Sequence, residues 1–501
     1  MHLMRKIPAA MATQHPDNAS PHAFSGRAFV ATSEEAEDAH FCFAGLGCGE
    51  FMWDWEGKHV DEAVIERLFE GHPAYYRRRA LGRDLFLTYR VPNVWKEKGY
   101  RLARSFANVI SANDLAEELG LHAPPVFELI LPMTTSGREL FYLRSKYSEV
   151  KDAFEIIRPP GPADIQLIPL IEEPDHLFRA GSILSDYADL CSSGRFSKFA
   201  VEYVRPFIAR SDPALNAGMV PAVLSAKAAL SDFALFSEER GVPAFPIIGV
   251  GGPPFRGGLT PERTAEFCAQ YPGVRTATVQ SSFRADNPLA KVKAAIRGLG
   301  SGLSRKARVF APEEKKSLKS AAGVFSDAYR RTVERIAPFV QKIARHVPAR
   351  RERRLHIGLF GYSRSVGRQS LPRAISFTCS LYSIGVPPEF IGTGRGLKAL
   401  KSADSGLLGD SLSHLGRDLE FAGRFLNKGN LAALASSHSA WAEVARDVAL
   451  CGEELGLEFG PCTDPEFRHQ RLASRILSML GDGKPVTGEI GRAAVLRGFL
   501  G

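Results

Sequence analysis

The chain has little of what would mark a membrane protein, a disulfide scaffold or a metal ribbon. No apolar stretch in the 501 residues reads as long enough to cross a bilayer, and the opening Met1-His-Leu-Met-Arg-Lys is not followed by an apolar core of signal-peptide type. The expectation is therefore a cytoplasmic protein. Its seven cysteines (Cys42, Cys48, Cys191, Cys268, Cys379, Cys451, Cys462) are odd in number and scattered, with no C-x-x-C pair. That spacing argues against a disulfide frame and a zinc site, and leaves reduced packing residues. Internal repeats and low-complexity linkers are lacking, as are a Walker loop and a dinucleotide fingerprint. What remains is an ordinary globular composition, 45% hydrophobic and 24% charged, with a net charge of +9.

The basic excess suggests an anionic partner, and much of it lies in the second half, notably in Pro348-Ala-Arg-Arg-Glu-Arg-Arg354. For that run a solvated face is the favoured reading. Aromatic residues do not interleave with its arginines as a single-strand-binding surface would require.

Short apolar runs that end in polar or glycine residues recur along the chain. They are Phe51 to Trp55, Leu85 to Tyr89, Val126 to Leu131, Ile165 to Ile171, Val204 to Ala209, Phe245 to Val250, Thr276 to Val279 and Leu355 to Phe360. Helix-like segments such as 60–69 and 261–267 fall between them, so strand and helix alternate as in a parallel α/β fold. Eight such units suit a TIM (β/α)8 barrel, whose chemistry sits at the C-terminal strand ends; periodicity alone fits a doubly wound open sheet equally well. One catalytic domain over residues 1–501 is expected, with barrel strands within about 45–365 and a helical C-terminal extension over about 375–501. A long amphipathic helix is expected from Lys315 to about Val347, with Val333, Ile336, Val340 and Ile343 on one face and Pro338 as a possible break.

Residues with chemical capacity fall at the ends of these runs. Met11-Ala-Thr-Gln-His-Pro-Asp-Asn18 reads as a proline-stiffened loop poorly suited to core packing, presenting the imidazole of His15 for proton handling. A solvated terminal loop is the bland alternative. Glu172 and Asp212 end two runs, and carboxylates at adjacent strand tips suit Mg²⁺ or Mn²⁺. For Asp212, followed by Pro213, helix capping competes on even terms. Gly249-Val-Gly-Gly-Pro-Pro-Phe-Arg-Gly-Gly258 surrounds Arg256 with glycines, Gly257 and Gly258 among them, which suits close approach of an oxyanion to the backbone. Gln280 ends the run at Val279, and Arg364, Arg368 and Arg373 follow the last run, as Arg90 follows the second. Together they describe a clamp of metal and arginines of the kind that stabilises phosphoryl transfer and enolates. A metal-dependent barrel lyase acting without phosphate, or a nucleic-acid-binding protein built on Arg350 to Arg354, are the alternatives.

These segments resemble phosphoenolpyruvate carboxylase of the shorter, archaeal type. The resemblance is carried by residues 11–18, Met52-Trp-Asp-Trp-Glu-Gly-Lys58, Leu131-Pro-Met-Thr-Thr-Ser136, Ala209-Arg-Ser-Asp-Pro-Ala-Leu215, Pro387-Pro-Glu-Phe-Ile-Gly-Thr-Gly-Arg395 and Phe421-Ala-Gly-Arg-Phe-Leu-Asn-Lys428. It implies a TIM barrel with added helices, a homotetramer, and carboxylation of phosphoenolpyruvate by bicarbonate to oxaloacetate and phosphate with Mg²⁺ or Mn²⁺. No nucleic acid or membrane partner is implied. By motif, His15 resembles the histidine of the longer enzymes' T-A-H-P-T-E segment, and Glu172 and Asp212 resemble the metal ligands. Arg256 resembles the arginine of their glycine-rich loop, and Arg364 and Arg373 those of their G-S-R-P and R-A-I-P-W segments; Arg90 is a candidate of the same kind. The chain departs from the pattern at Gly49, Ile248, Val250, Ser365 and Arg368.

Overall fold

Eight parallel strands close into a barrel in strict chain order in the computed structural model, which describes residues 5–55, 63–96, 99–121, 123–154, 164–193, 201–303, 306–352, 365–366, 369–401 and 405–501. They are β1 (Ala10–Thr13), β2 (Glu50–Asp54), β3 (Phe86–Arg90), β4 (Glu128–Leu131), β5 (Gln166–Ile171), β6 (Phe207–Ala209), β7 (Ile247–Gly249) and β8 (Thr276–Val279). Closure comes from β1 pairing with β8, Met11 opposite Thr278. Helices cover the outside, which is why the strands are buried on both faces and read as apolar runs.

The two-residue alternation along the strands separates two environments. Met11, Met52, Ile130, Ile168, Phe207 and Ile247 pack together as one small cluster, while their strand neighbours Ala12, Phe51, Trp53, Leu129, Leu167 and Ile208 join the large cluster shared with the surrounding helices. Below that apolar plug the barrel holds a polar layer. Arg205 donates to Glu50 at 2.6 Å and to Glu128, and Tyr203 donates to Glu128 at 2.7 Å. Burial pushes the Glu128 carboxyl up, and Arg205 opposes that shift. These charges seal the N-terminal end of the barrel, opposite the C-terminal rim.

The first strand corrects the sequence reading. Ala10–Thr13 is fully buried, and so are Gln14, Asp17 and Asn18, so the segment judged poorly suited to the core is embedded in it. Its polar side chains are accommodated through hydrogen bonds: Gln14 accepts from the Asp54 amide at 2.9 Å, and Asn18 donates to the Ser20 and Ala28 carbonyls, although the Asn18 Oδ1 finds no partner among the described residues. Hence the barrel spans Ala10 to Val279 rather than about 45–365, and it closes without the run Leu355 to Phe360, which lies outside the described residues.

Past β8 the described chain is almost wholly helical. Pro312–Ala344 forms one helix that continues through Pro338, with Val333, Ile336, Val340 and Ile343 buried on one stripe as expected. Residues 428–455 form two helices rather than one, Lys428–Ser437 and Ser439–Leu455, and the His438 ring accepts from the Ala440 amide to cap the second. Met219–Arg240 is long and apolar enough to cross a membrane, which the sequence reading missed; in the fold it is a core helix, 83% buried over its most apolar window. Its residues enter both the barrel-side core (Ala226, Phe233) and the C-terminal helical core (Leu224, Ala228). All seven cysteines are free thiols, with only Cys462 exposed.

A pH effect follows from His469 in the C-terminal core. Burial, assisted by Arg497, holds this imidazole down at about 3. An unfolded chain takes up a proton there near pH 6.5, so the stability tied to neutral His469 is present above that pH and is lost as pH falls toward 3. Asp286 and Glu389, each pushed up to about 7 by burial, act with the opposite sign. The effect is therefore read as a difference: between pH 7 and 4, wild type should lose unfolding free energy relative to His469→Gln in urea titrations. A difference that stays constant with pH would show that His469 is not the group responsible.

Candidate active site

Because every strand runs the same way, Thr13, Asp54, Arg90, Ile171, Ala209, Gly249 and Val279 all end on one rim. A cavity of about 540 Å³ opens there, and His15, Arg90, Asp212, Arg256 and Arg373 line it together. These five come from five separate segments of the chain.

His15 follows β1 directly. Its Nδ1 lies 2.9 Å from the Thr13 hydroxyl, which orients the ring. The peptide turns back at once, with the Asp17 amide donating to the His15 carbonyl at 3.1 Å. Farther along, the Ala19 and Ser20 amides donate to the Asp286 carboxylate. His15 is thus presented from a pinned turn rather than a loose terminus.

The glycine-rich loop after β7 folds around its arginine. The Gly251 amide donates to the Arg256 carbonyl at 2.8 Å, and a Cβ on Gly251 would stand 2.8 Å from the guanidinium carbon. Gly257 has φ +116°, and a Cβ there would lie 2.5 Å from Val250 Cγ1, so glycine is required. Arg256 itself is 1% exposed. It donates to Asp17 Oδ2 at 3.0 Å, to Ser211 Oγ at 3.2 Å, to the Gln280 side chain and to the Gly501 carbonyl. Burial draws this guanidinium below its ordinary value, and Asp17 pulls it back. The fork expected to face an oxyanion is therefore largely enclosed by protein partners. Gly257, Gly258 and Gln280 do not line the cavity; they shape and hold Arg256.

Arg90 is likewise paired, through two hydrogen bonds of 2.9 and 2.7 Å to Asp54, its register partner on β2. Arg373 precedes the helix Ala374–Ser383 and stands half-buried at the cavity. Arg364 and Arg368 lie outside the described residues. Asp212 sits in the first turn of the helix Ser211–Ala217, whose N-cap position is Arg210 with no side-chain cap bond, so helix capping is not its role. Glu172 immediately follows β5, the neighbour of β6, with Ile171 opposite Ile208. It does not line the 540 Å³ cavity. Among the described residues no cluster of three or more His, Cys, Asp or Glu could hold a metal ion.

Sequence reasoning missed four participants: Asp17 and Asp54, which neutralise Arg256 and Arg90, and the pair Arg350 and Arg351. Those two arginines, read as part of a solvated run, line the same cavity. Arg351 is 4% exposed and pairs with Glu35 at 3.1 Å and Asp38 at 2.6 Å. The only signal was the acidic stretch Glu34 to Asp38, whose counter-charges lie some 300 residues away.

Comparison with known proteins agrees with this geometry. The sequence profile of the family described as phosphoenolpyruvate carboxylase matches residues 7–501. The chain is 39% identical to the phosphoenolpyruvate carboxylase of Oenococcus oeni over 99% of both chains, and 40% identical to that of Leuconostoc mesenteroides over 99% of both. It is also 37% identical to the phosphoenolpyruvate carboxylase of Pyrococcus abyssi, over 99% of this chain and 100% of that one. A whole-length match of this kind, on a closed eight-stranded barrel with the motif residues gathered at its rim, shows that the chain belongs to the phosphoenolpyruvate carboxylase family.

Proposed function

We propose that the chain joins bicarbonate to phosphoenolpyruvate in two steps at this cavity, yielding oxaloacetate and inorganic phosphate. The observation that carries the reading is the convergence of His15, Arg90, Asp212, Arg256 and Arg373 on one cavity at the barrel's C-terminal rim. In the first step a bicarbonate oxygen attacks phosphorus and the bond from phosphorus to the enol oxygen breaks, giving carboxyphosphate and pyruvate enolate. Arg373 and the other cations of the cavity offset the charge of the transferring group. In the second step His15 accepts the carboxyl proton of carboxyphosphate as its carbon–oxygen bond to phosphate breaks. Carbon dioxide is released beside the enolate, whose methylene carbon bonds to it. With Nδ1 engaged by Thr13, Nε2 is the nitrogen assigned to that proton.

The donor set fits Mg²⁺ or Mn²⁺. Glu172 and Asp212 are hard oxygen donors following neighbouring strands, and a two-carboxylate set leaves positions for water and substrate oxygens. Bound there, the ion supplies Lewis-acid polarisation of the substrate's oxygens. The reading further includes a cytoplasmic homotetramer acting on small anions, with neither nucleic acid nor membrane as partner; sedimentation of the purified chain tests the tetramer.

The deciding experiment couples the reaction to malate dehydrogenase and NADH. Signal that requires phosphoenolpyruvate and bicarbonate together, with phosphate released in equal amount, supports the proposal. Carbon–carbon chemistry without phosphate release would favour the other barrel lyase. Chelation with EDTA should remove activity, Mg²⁺ or Mn²⁺ should restore it, and Asp212→Asn should raise the metal concentration needed for half-maximal rate. Full activity in EDTA would remove the metal from the scheme.

A further inference from the structure

We propose that Arg350 is a substrate-binding cation of this cavity, taking a phosphoryl or carboxylate oxygen of the anions that enter it. The inference rests on the reading above and adds a residue to it. Three of the described arginines lining the cavity are already matched by acids: Arg90 by Asp54, Arg256 by Asp17, and Arg351 by Glu35 and Asp38. Arg350 and Arg373 are not, and neither makes an ion pair with a carboxylate among the described residues. A substrate carrying both a phosphate and a carboxylate brings more negative charge than Arg373 alone offsets, so a second unmatched cation has a use at this cavity.

Arg350 is also held for the task. Its carbonyl accepts from the Val30 amide at 3.0 Å, and its Nε donates to the Asn18 carbonyl at 3.0 Å, tying it to the turn that carries His15. Its neighbour Arg351 is locked in buried ion pairs. The backbone is therefore fixed on both sides, and the two Nη groups, which donate to none of the described residues, are the part left for a ligand. A half-buried guanidinium with no carboxylate in contact is unfavourable in the empty protein, and burial draws Arg350 below its ordinary value even though Asp286 partly opposes the shift. An entering oxyanion removes that penalty, whereas a carboxylate partner within the chain would have removed it in advance.

The test compares wild type, Arg350→Gln and Arg350→Lys, with thermal melting of each to establish folding. Losing a charge-assisted hydrogen bond is worth roughly 10- to 100-fold in binding. Arg350→Gln should raise KM for phosphoenolpyruvate by that factor with a much smaller change in kcat, and Arg350→Lys, which keeps the charge but not the planar fork, should lie between. A rise confined to KM for bicarbonate would also support the cation and assign its anion to bicarbonate. Both KM values within twofold of wild type in folded Arg350→Gln would overturn the proposal. Calorimetric titration with phosphoenolpyruvate in the absence of bicarbonate keeps this separate from the reaction itself. A wild type that binds but does not carboxylate defeats the functional reading alone, and phosphoenolpyruvate binding unchanged by both variants, with KM for bicarbonate unchanged as well, defeats the Arg350 proposal alone.

Discussion

Replacing His15 with asparagine should lower oxaloacetate formation by ~10²- to 10⁴-fold, the usual consequence of losing a general base. The substitution is conservative where it should be. An asparagine amide can still meet the Thr13 hydroxyl that holds Nδ1 at 2.9 Å, so the turn after β1 should survive. What is lost is an imidazole nitrogen able to accept and release a proton. Since His15 acts after phosphoryl transfer in the proposed sequence, the variant should still release phosphate in a bicarbonate-dependent way, with pyruvate as the second product. Three coupled assays separate these outcomes, through malate dehydrogenase for oxaloacetate, lactate dehydrogenase for pyruvate and direct phosphate detection. Carboxylation at the wild-type rate would remove His15 from the mechanism, and equal loss of all three products would move its role to the first step.

The parts of the architecture legible in the sequence share a physical cause. Strands covered on both faces must be apolar almost throughout, so β2 to β8 stand out as runs, and the first polar residue after each run falls on the rim where a parallel barrel gathers its chemistry. Glu172, Asp212 and Gln280 were picked as candidates that way, and of these Asp212 lines the cavity while Glu172 and Gln280 do not. β1, Ala10–Thr13, escaped because it merges into a polar motif that is buried by hydrogen bonding rather than by hydrophobicity. Its omission made Leu355 to Phe360 look like the eighth strand. What local pattern cannot carry is pairing across the chain. Nothing near Arg256 announces Asp17, 239 positions away, and nothing near Arg351 announces Glu35, 316 positions away. An arginine run reads as solvated unless its counter-charges are known, which is why Arg351 was misplaced, and Arg350, its neighbour in the run, was misplaced with it.

The pairing of Arg256 with Asp17 carries the second large expected effect. Both side chains are almost wholly shielded, at 1% and 0% exposure, so Arg256→Met leaves a carboxylate in the interior, where the Ser282 amide still donates to it at 2.7 Å. Breaking a buried pair by removing one member typically costs about 3–5 kcal/mol, more than the attraction itself, because the surviving charge stays desolvated. The Gln280 side chain and the Gly501 carbonyl lose their donor at the same time. Urea unfolding should therefore show a loss of that size, together with loss of carboxylase activity, since Asp17 adjoins the turn of His15. A second substitution divides structure from chemistry. Asp17→Asn in the Arg256→Met background removes the stranded charge and should return part of the lost stability, yet activity should stay absent because the cavity has lost a fixed cation. Unchanged stability in Arg256→Met would mean that the pair is not held as drawn. Recovery of activity along with stability in the double variant would mean that Arg256 serves only the fold.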